Sequence, residues 1–229
     1  MPTRALVFDF DGTLADTESA VLASWQETFR DHGVELPLAA WYAVIGTQHT
    51  TNAMFALLAE RVPGIDVEAL RPVTKARVLK LLETLGPRDG VLGYLDSARE
   101  HGLRLAVASS SSGGWVLPHL ERLGIAGYFD AVCTGDRHAA KPRPDLYLAA
   151  LDALGADAGE AIAFEDTPHG VTSAKAAGLT CVAVPNAITE SLDFGAADVV
   201  LPSFTAEPLE ALLSRRATPS AGPGTAAGP

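Results

Sequence analysis

Two aspartates near the N-terminus have the type and spacing best suited to chemistry. Asp9 and Asp11 follow the apolar run Ala5–Phe8, which predicts a buried strand that ends where the carboxylates begin. Carboxylates two residues apart can converge there, and they repel by about 4 kcal/mol at about 4 Å for an effective dielectric of about 20. A proton or a cation between them relieves that repulsion. Gly12 permits a sharp turn, and Thr13 offers a hydroxyl and an N–H to an anion. A surface Asp-Gly turn is the alternative interpretation.

Further polar residues follow apolar, strand-like runs or lie in connecting loops. Because carboxyl ends of parallel strands share one edge of a sheet, we expect these residues to meet Asp9 and Asp11. Carboxylates, hydroxyls and one lysine together suit a hard cation beside an anion. Each has a structural alternative when taken alone: a strand-end cap, a surface lysine, or a solvated strand end and helix N-cap. The residues are Ser109, Ser110, Lys141, Glu165 and Asp166.

The order of predicted elements indicates the fold class. Strands and helices alternate from about residue 91, which predicts an α/β fold with a doubly wound parallel sheet. Between Glu18 and Leu85 only helical periodicity is found, so an all-helical insertion is expected over the carboxyl edge of the sheet. The predicted domains are a core of residues 1–16 and 86–213 and a helical cap of residues 17–85. Residues 214–229 are rich in Pro, Gly, Ala and Ser and predict a flexible tail.

Composition narrows the classes of partner. The 229 residues carry a formal net charge of -11, which disfavours nucleic acid and acidic membranes as partners. No apolar run approaches the roughly 18 residues needed to span a bilayer, and no signal-like stretch follows Met1, so a cytoplasmic location is expected. Cys133 and Cys181 lie in apolar runs, which favours buried free thiols over a disulfide.

Four motifs in order carry a resemblance to a known family. The string Asp9-x-Asp11-Gly12-Thr13-Leu14-x-Asp16 resembles the first motif of the haloacid dehalogenase (HAD) superfamily. Ser109, Lys141 and Glu165-Asp166 match its second, third and fourth motifs, so the resemblance covers nearly the whole chain. It implies a Rossmann-like HAD core with an inserted helical cap. The features most similar to the beta-phosphoglucomutase-like branch are Phe164-Glu165-Asp166-Thr167, Gly170 and Ala174.

The resemblance also implies an activity and residue roles. It implies a Mg²⁺-dependent phosphatase that acts on a small phosphate monoester, with sugar phosphates among the candidates. Asp9 is the implied nucleophile that forms an aspartyl-phosphate, and Asp11 is the implied acid and base. The implied magnesium ligands are Asp9, the Asp11 backbone carbonyl and Asp166, with Glu165 nearby or coordinating. The implied phosphate-binding residues are Thr13, Ser109, Ser110, Lys141 and His49.

Departures from the family pattern bear on the choice among activities. Asp11 argues against the dehalogenase and phosphonate-cleaving branches, which lack an aspartate there. The mutase has a cap arginine three residues after a glycine, whereas here Gly46 is followed at that place by His49, which lacks the bidentate fork of arginine. This favours hydrolysis of a monophosphate. His49 is either a pocket residue or a surface histidine of the cap. A phosphosugar mutase and a non-catalytic phosphosugar-binding protein are the alternatives, and a monomer or weak dimer is expected.

Overall fold

A parallel sheet lies at the centre of the computed structural model, which describes residues 2–45 and 49–217. Within those residues the strands run in the spatial order third, second, first, fourth, fifth, sixth, so the first strand has neighbours on both sides. The predicted doubly wound parallel sheet is therefore confirmed. In chain order the strands are β1 (Ala5–Phe8), β2 (Arg104–Ser109), β3 (Ala131–Thr134), β4 (Ala161–Glu165), β5 (Thr180–Ala183) and β6 (Val199–Val200).

Helices cover both faces of the sheet and fill the insertion after β1. The described part of the chain contains no helix that is both long and apolar enough to cross a membrane. In chain order the α-helices are α1 (Thr17–Asp31), α2 (Leu38–Tyr42), α3 (Thr50–Arg61), α4 (Val67–Leu82), α5 (Val91–Glu100), α6 (Gly113–Arg122), α7 (Asp145–Leu154), α8 (Pro168–Ala176) and α9 (Leu209–Ala217).

Strand β1 is buried on both faces, which explains its unbroken apolar sequence. Its residues alternate between two hydrophobic clusters: Leu6 and Phe8 belong to one, and Ala5 and Val7 to the other. Phe8 pairs with β2 on one side and β4 on the other, and its ring stacks on that of Phe164 with centroids 4.7 Å apart. The central strand thus holds the residue that follows it, Asp9, in a rigid setting.

The helices α1 to α4 have a hydrophobic cluster of their own. Trp25, Phe29 and Trp41 are buried in it, and Ile188 and Leu192 from the segment after β5 pack against it. The helical periodicity predicted for this stretch is confirmed, while the division into a core and a cap of residues 17–85 stays a prediction. Gly46, on which the cap-loop comparison depends, lies outside the described residues.

One helix begins where the sequence indicates despite an internal proline, and another was not expected. Helix α4 begins at Val67, where the helical periodicity begins, because the Asp66 side chain caps it by accepting from the Ala69 N–H, and Pro72 lies inside it. Helix α9 has no counterpart in the predicted elements and continues to Ala217, into the predicted tail; residues 218–229 lie outside the described part. Cys133 and Cys181 are buried and free, as predicted.

Candidate active site

A buried lysine and three carboxylates form the centre of the candidate site. Asp9 directly follows β1 and is 6% exposed. The Lys141 ammonium donates to Asp9 Oδ1 and, at 2.5 Å, to Glu165 Oε1. Asp9, Glu165 and Asp166 each place one carboxylate oxygen within 4.8 Å of the others. The structure thus brings together these four residues, which the sequence placed at neighbouring strand ends and in a loop.

Parallel pairing explains why these side chains meet. Phe8 lies beside Phe164 in the β1–β4 register, so both strands end at the same level of the sheet. Asp9 follows the first of these strands, while Glu165 ends β4 and Asp166 comes next. The backbone N–H of Asp9 donates to the Phe164 carbonyl at 2.9 Å, which extends the pairing into the site.

Burial and the close approach of the carboxylates resist ionisation within this cluster. Burial raises the pKa of Asp9 to about 8, with Lys141 opposing the rise and Glu165 adding to it. Burial, followed by Asp9 and Glu165, raises the pKa of Asp166 well above its ordinary value. Burial disfavours the ammonium of Lys141, but the two carboxylates outweigh this and raise its pKa. A cation near the carboxylates would favour their ionised forms.

The donor atoms fit magnesium, which prefers oxygen ligands from carboxylates and backbone carbonyls. Asp9, Glu165 and Asp166 form the acidic cluster found among the described residues, and the Asp11 carboxylate is not part of it. Glu165 also accepts from the Tyr147 hydroxyl at 2.7 Å, so its Oε1 atom is shared between two protein donors. Glu165 Oε1 therefore has less capacity left for a metal than Asp9 Oδ1, which accepts from Lys141, or Asp166 Oδ2, which accepts from Asn186.

The Asp11 carboxylate is held apart from the cluster by protein donors. Its Oδ1 atom accepts from the Thr17 hydroxyl at 2.7 Å and from the Trp115 indole N–H at 2.8 Å. Its Oδ2 atom accepts from the hydroxyls of Ser111 at 2.6 Å and Ser109 at 3.4 Å. The side chain lines the cavity described below, where it can meet a substrate oxygen.

The predicted phosphate-binding residues fall in different surroundings. Ser109 and Ser110 line the cavity, and the Ser110 hydroxyl accepts from the Lys141 backbone N–H at 3.3 Å. Thr13 is fully buried and its hydroxyl donates to Asp166 at 3.3 Å, so it contacts a carboxylate. His49 is exposed and directly precedes α3.

A cavity of about 610 Å³ lies above the cluster. Its floor includes Asp9, Lys141 and Asp166, and one wall is the serine loop at residues 109–112. The opposite wall comes from α1, α3 and α4, so the inserted helices face the carboxyl edge of the sheet. The residues from that wall include Glu18, Trp25, Thr50, Thr51, Phe55, Arg71 and Lys75.

Several residues of the site carried no prediction. Asn186 donates to Asp166 at 2.8 Å, and Arg88 donates to the Gly12 carbonyl at 2.6 Å. Asn186 lies shortly beyond the end of β5, so the rule that selected Ser109 and Glu165 could have found it. The unpredicted site residues that no local sequence signal could have identified are Glu18, Arg71, Lys75, Arg88, Trp115 and Tyr147.

Two glycines are required by the close approach of carboxylates. A Cβ at Gly12, whose φ is +83°, would lie 2.1 Å from Asp166 Oδ2. A Cβ at Gly170 would lie 1.9 Å from the carboxyl of Glu165. Both distances are far below van der Waals contact, so these positions accept only glycine while the carboxylates stay in place.

Comparison with known proteins agrees with this geometry. Residues 6–184 match the family described as haloacid dehalogenase-like hydrolase. The chain belongs to this family. The predicted superfamily is confirmed, and the matched range contains every strand-end residue of the site described above apart from Asn186.

Relatives and solved structures of the HAD family cover most of the chain. YhcW of Bacillus subtilis, a candidate phosphatase, is 40% identical over 92% of this chain and 96% of its own length. The fructose-1-phosphate phosphatase YqaB of Escherichia coli is 33% identical over 78% of this chain and 95% of its own. A variant of CbbY from Rhodobacter sphaeroides, solved with xylulose 1,5-bisphosphate, is 29% identical with a TM-score of 0.72, covering 89% of this chain and 95% of that one.

Proposed function

We propose that this protein is a Mg²⁺-dependent phosphatase that hydrolyses small phosphate monoesters, sugar phosphates in particular, through an aspartyl-phosphate on Asp9. The enzyme class, a HAD-like phosphoric monoester hydrolase, is confirmed by the family match and by relatives named as phosphatases. The observation that carries the finer proposal is a buried, lysine-paired Asp9 beside Asp166 on the floor of a cavity. Its volume of about 610 Å³ suits a small ligand.

The residues divide the reaction between them. A phosphate monoester carries close to two negative charges near pH 7, so a carboxylate approaches it only with help from cations. Lys141 neutralises part of this charge, and Ser109 and Ser110 donate to phosphate oxygens. When bound by Asp9, the Asp11 carbonyl and Asp166, Mg²⁺ would offset the remaining charge and polarise the phosphoryl group.

Proton transfer is assigned to Asp11. Asp9 attacks phosphorus and the bond to the leaving oxygen breaks, while Asp11 gives that oxygen a proton. A water then attacks the aspartyl-phosphate, Asp11 takes back a proton, and phosphate leaves with Asp9 restored. The separate location of the Asp11 carboxylate, outside the acidic cluster and against the cavity, supports this role.

Phosphate release tests the proposal. We expect the wild type to release phosphate from p-nitrophenyl phosphate and from members of a sugar-phosphate panel in Mg²⁺, and to lose this activity in EDTA. Asp9→Asn should lower turnover by about 1000-fold or more while the protein stays folded by circular dichroism. Activity of the variant within tenfold of the wild type would exclude the covalent step.

A phosphosugar mutase is the second candidate. It is favoured by Arg71 and Lys75 on the cavity wall, because two cations there could receive a second phosphate even though position 49 is a histidine. Arg71 is partly engaged, since it donates to Glu68 at 2.9 Å and to Asn52 at 3.1 Å. Incubation with β-glucose 1-phosphate and a bisphosphate primer separates the candidates: glucose 6-phosphate formed faster than free phosphate would replace the hydrolase proposal with the mutase.

Partners and location complete the proposal. A small phosphate ester is the substrate class, and the relatives' named sugar-phosphate ligands support it. The monomer or weak dimer, the absence of nucleic-acid and membrane partners, the cytoplasmic location and the part of His49 in substrate binding stay predictions.

A further inference from the structure

The indole of Trp115 makes an unusual contact with a carboxylate at the site. Trp115 is the third residue of α6, and its Nε1–H donates to Asp11 Oδ1 at 2.8 Å. The side chain is half-buried and lines the cavity. Its ring packs against His119 with centroids 4.3 Å apart, and the His119 ring in turn lies 6.2 Å from that of Phe10. The indole therefore has a fixed place between the hydrophobic core and Asp11.

We propose that Trp115 is a positioning residue that holds the Asp11 carboxyl in the orientation needed for proton transfer to the leaving oxygen. The inference rests on the role of Asp11 in the proposed phosphatase reaction. Trp115 and Thr17 hold one oxygen of Asp11, while Ser109 and Ser111 hold the other, so both the position and the plane of the carboxyl group are fixed.

The chemistry of the four donors differs in a way that selects one oxygen for the proton. A hydroxyl can rotate to donate or accept, whereas an indole N–H can only donate. Oδ1 of Asp11 must therefore remain an acceptor while Trp115 is in place. The partners of Oδ2 are the hydroxyls of Ser109 and Ser111, which can turn to accept. When Asp11 carries the proton that it transfers, the fixed indole donor favours Oδ2, the oxygen on the serine side, as the protonated atom, because an unprotonated Oδ1 is the better acceptor.

A comparison of substrates with different leaving groups distinguishes positioning of Asp11 from a purely structural role of Trp115. p-Nitrophenolate departs without a proton, whereas the alkoxide of benzyl phosphate needs one. kcat/KM reports the steps up to departure of the leaving group and excludes later hydrolysis of the aspartyl-phosphate. Trp115→Phe, which removes the N–H, should lower kcat/KM about tenfold for benzyl phosphate and less than threefold for p-nitrophenyl phosphate.

Two further variants make the result unambiguous. Asp11→Asn should show the same dependence on the leaving group in larger measure. Trp41→Phe is the matched control, because the Trp41 Nε1 atom is buried without a hydrogen-bond partner in the described residues. This substitution should lower kcat/KM for both substrates only slightly and by the same factor. If Trp115→Phe does not fold by circular dichroism, Trp115→Leu, which also lacks the donor, takes its place.

The outcomes separate the inference from the proposed function. Equal losses for the two substrates in the Trp115 variant, with a clear leaving-group dependence in Asp11→Asn, would overturn the positioning role alone. No such dependence in Asp11→Asn would overturn the assignment of Asp11 as the acid, and the positioning role with it. An unequal loss in both variants, absent from the Trp41 control, supports the positioning of Asp11 by Trp115.

Discussion

Lys141 forms ion pairs with two carboxylates. Because it is buried, it should contribute to the stability of the fold as well as to phosphate binding. It contacts Asp9 and Glu165, and its side chain is 2% exposed. Removing the ammonium would leave two carboxylates in a buried site without their partner. Breaking one side of a buried ion pair typically costs about 3–5 kcal/mol. The residue proposed to bind phosphate is thus also expected to stabilise the folded protein.

We therefore expect Lys141→Ala to lower both the free energy of unfolding, by about 3 kcal/mol or more, and phosphate release, by about 100-fold or more. Urea unfolding at pH 8 and phosphate-release kinetics measure the two effects. Lys175→Ala is the control, since Lys175 pairs with Asp198 at 2.7 Å on the surface and should cost less than about 1 kcal/mol. Equal stability losses in the two variants would contradict the structural part of this prediction, and unchanged phosphate-release kinetics would remove Lys141 from the site.

Glu18 is a second buried ionisable group, and no hydrogen bond to its carboxyl group is found among the described residues. It is 9% exposed and lines the cavity. Burial, with smaller contributions from Asp11, Asp9 and Asp16, raises the pKa of Glu18 to about 8. The folded protein therefore keeps a proton on Glu18 that the unfolded chain releases. The stabilisation from this proton is complete below about pH 4.5 and is lost as the pH rises through about 8.

Glu18→Gln should consequently gain stability relative to the wild type between pH 5 and pH 9. Because glutamine stays neutral, the variant does not lose the free energy of unfolding that the wild type loses as the pH rises, which is at most about 5 kcal/mol. Thermal unfolding in EDTA over this range measures the difference without a bound cation. Glu35→Gln serves as the control, because Glu35 is exposed in the connection between α1 and α2. Parallel pH profiles for wild type and Glu18→Gln would contradict the prediction.

The sequence predicted residues of the candidate site where they follow or end a predicted strand. Asp9, Glu165 and Asp166 follow or end apolar runs, and parallel pairing brings such ends together. Trp115 and Arg71 could not be found this way, because they reach the site across the space between separate helices. Their contribution depends on helix packing and rotamer, which no local spacing encodes.

At the scale of elements, the turn between β1 and α1 depends on Gly12. The residue has φ +83° and lies where a Cβ would collide with Asp166. Gly33, just after α1, has φ +73° with nothing within 4 Å of its Cβ position. Both glycines thus have a left-handed backbone, but only at Gly12 would an added Cβ collide with another side chain. Gly33 is therefore a matched control for Gly12.

We expect Gly33→Ala to cost about 1 kcal/mol, the ordinary penalty of a left-handed alanine. Gly12→Ala should cost more and should also reduce phosphate release by about 100-fold or more, because Asp166 must move to make room. Chemical denaturation and phosphate release measure both. If Gly12→Ala kept the activity of Gly33→Ala, the close fit of Gly12 to Asp166 would not matter for function.

Elements with strong periodicity were predictable, and the exceptions have physical reasons. The apolar runs of β1 and β4 are buried on both sides of the sheet, so their signal is strong. Helix α4 begins at Val67 as its periodicity indicates, and it keeps Pro72 in an early turn because the Asp66 cap offsets the unfavourable proline. Helix α9 buries mainly Leu209 and Leu212, too few apolar positions for a clear pattern.

At the scale of the whole molecule, the acidic cluster links metal binding to stability. Asp9 and Asp166 are buried carboxylates whose ionisation is resisted by burial and mutual repulsion. A cation that binds the folded form alone stabilises it by about 2.7 kcal/mol at a concentration 100 times its Kd. The net charge of -11 could attract Mg²⁺ without a specific site, so the control must remove the site and keep the overall charge nearly constant.

Mg²⁺ should raise the melting temperature of the wild type by several degrees relative to EDTA, and it should do so far less in Asp166→Asn. Differential scanning fluorimetry over a Mg²⁺ titration measures both proteins. A similar increase in the variant would assign the effect to the overall charge rather than to the cluster. The same titration at pH 6 should show a smaller increase, because protonated carboxylates bind the metal poorly.

The position of β1 between strands that come much later in the chain has a consequence for synthesis. Ala5 pairs with Arg104 and with Ala161, so the first strand leaves the ribosome long before either partner exists. The helices that follow it have their own hydrophobic cluster and can gather in the meantime. During synthesis β1, which is apolar on both faces, therefore remains unpaired until β2 and β4 have been made. We expect chains truncated before β4 to depend on chaperones and to lack enzyme activity.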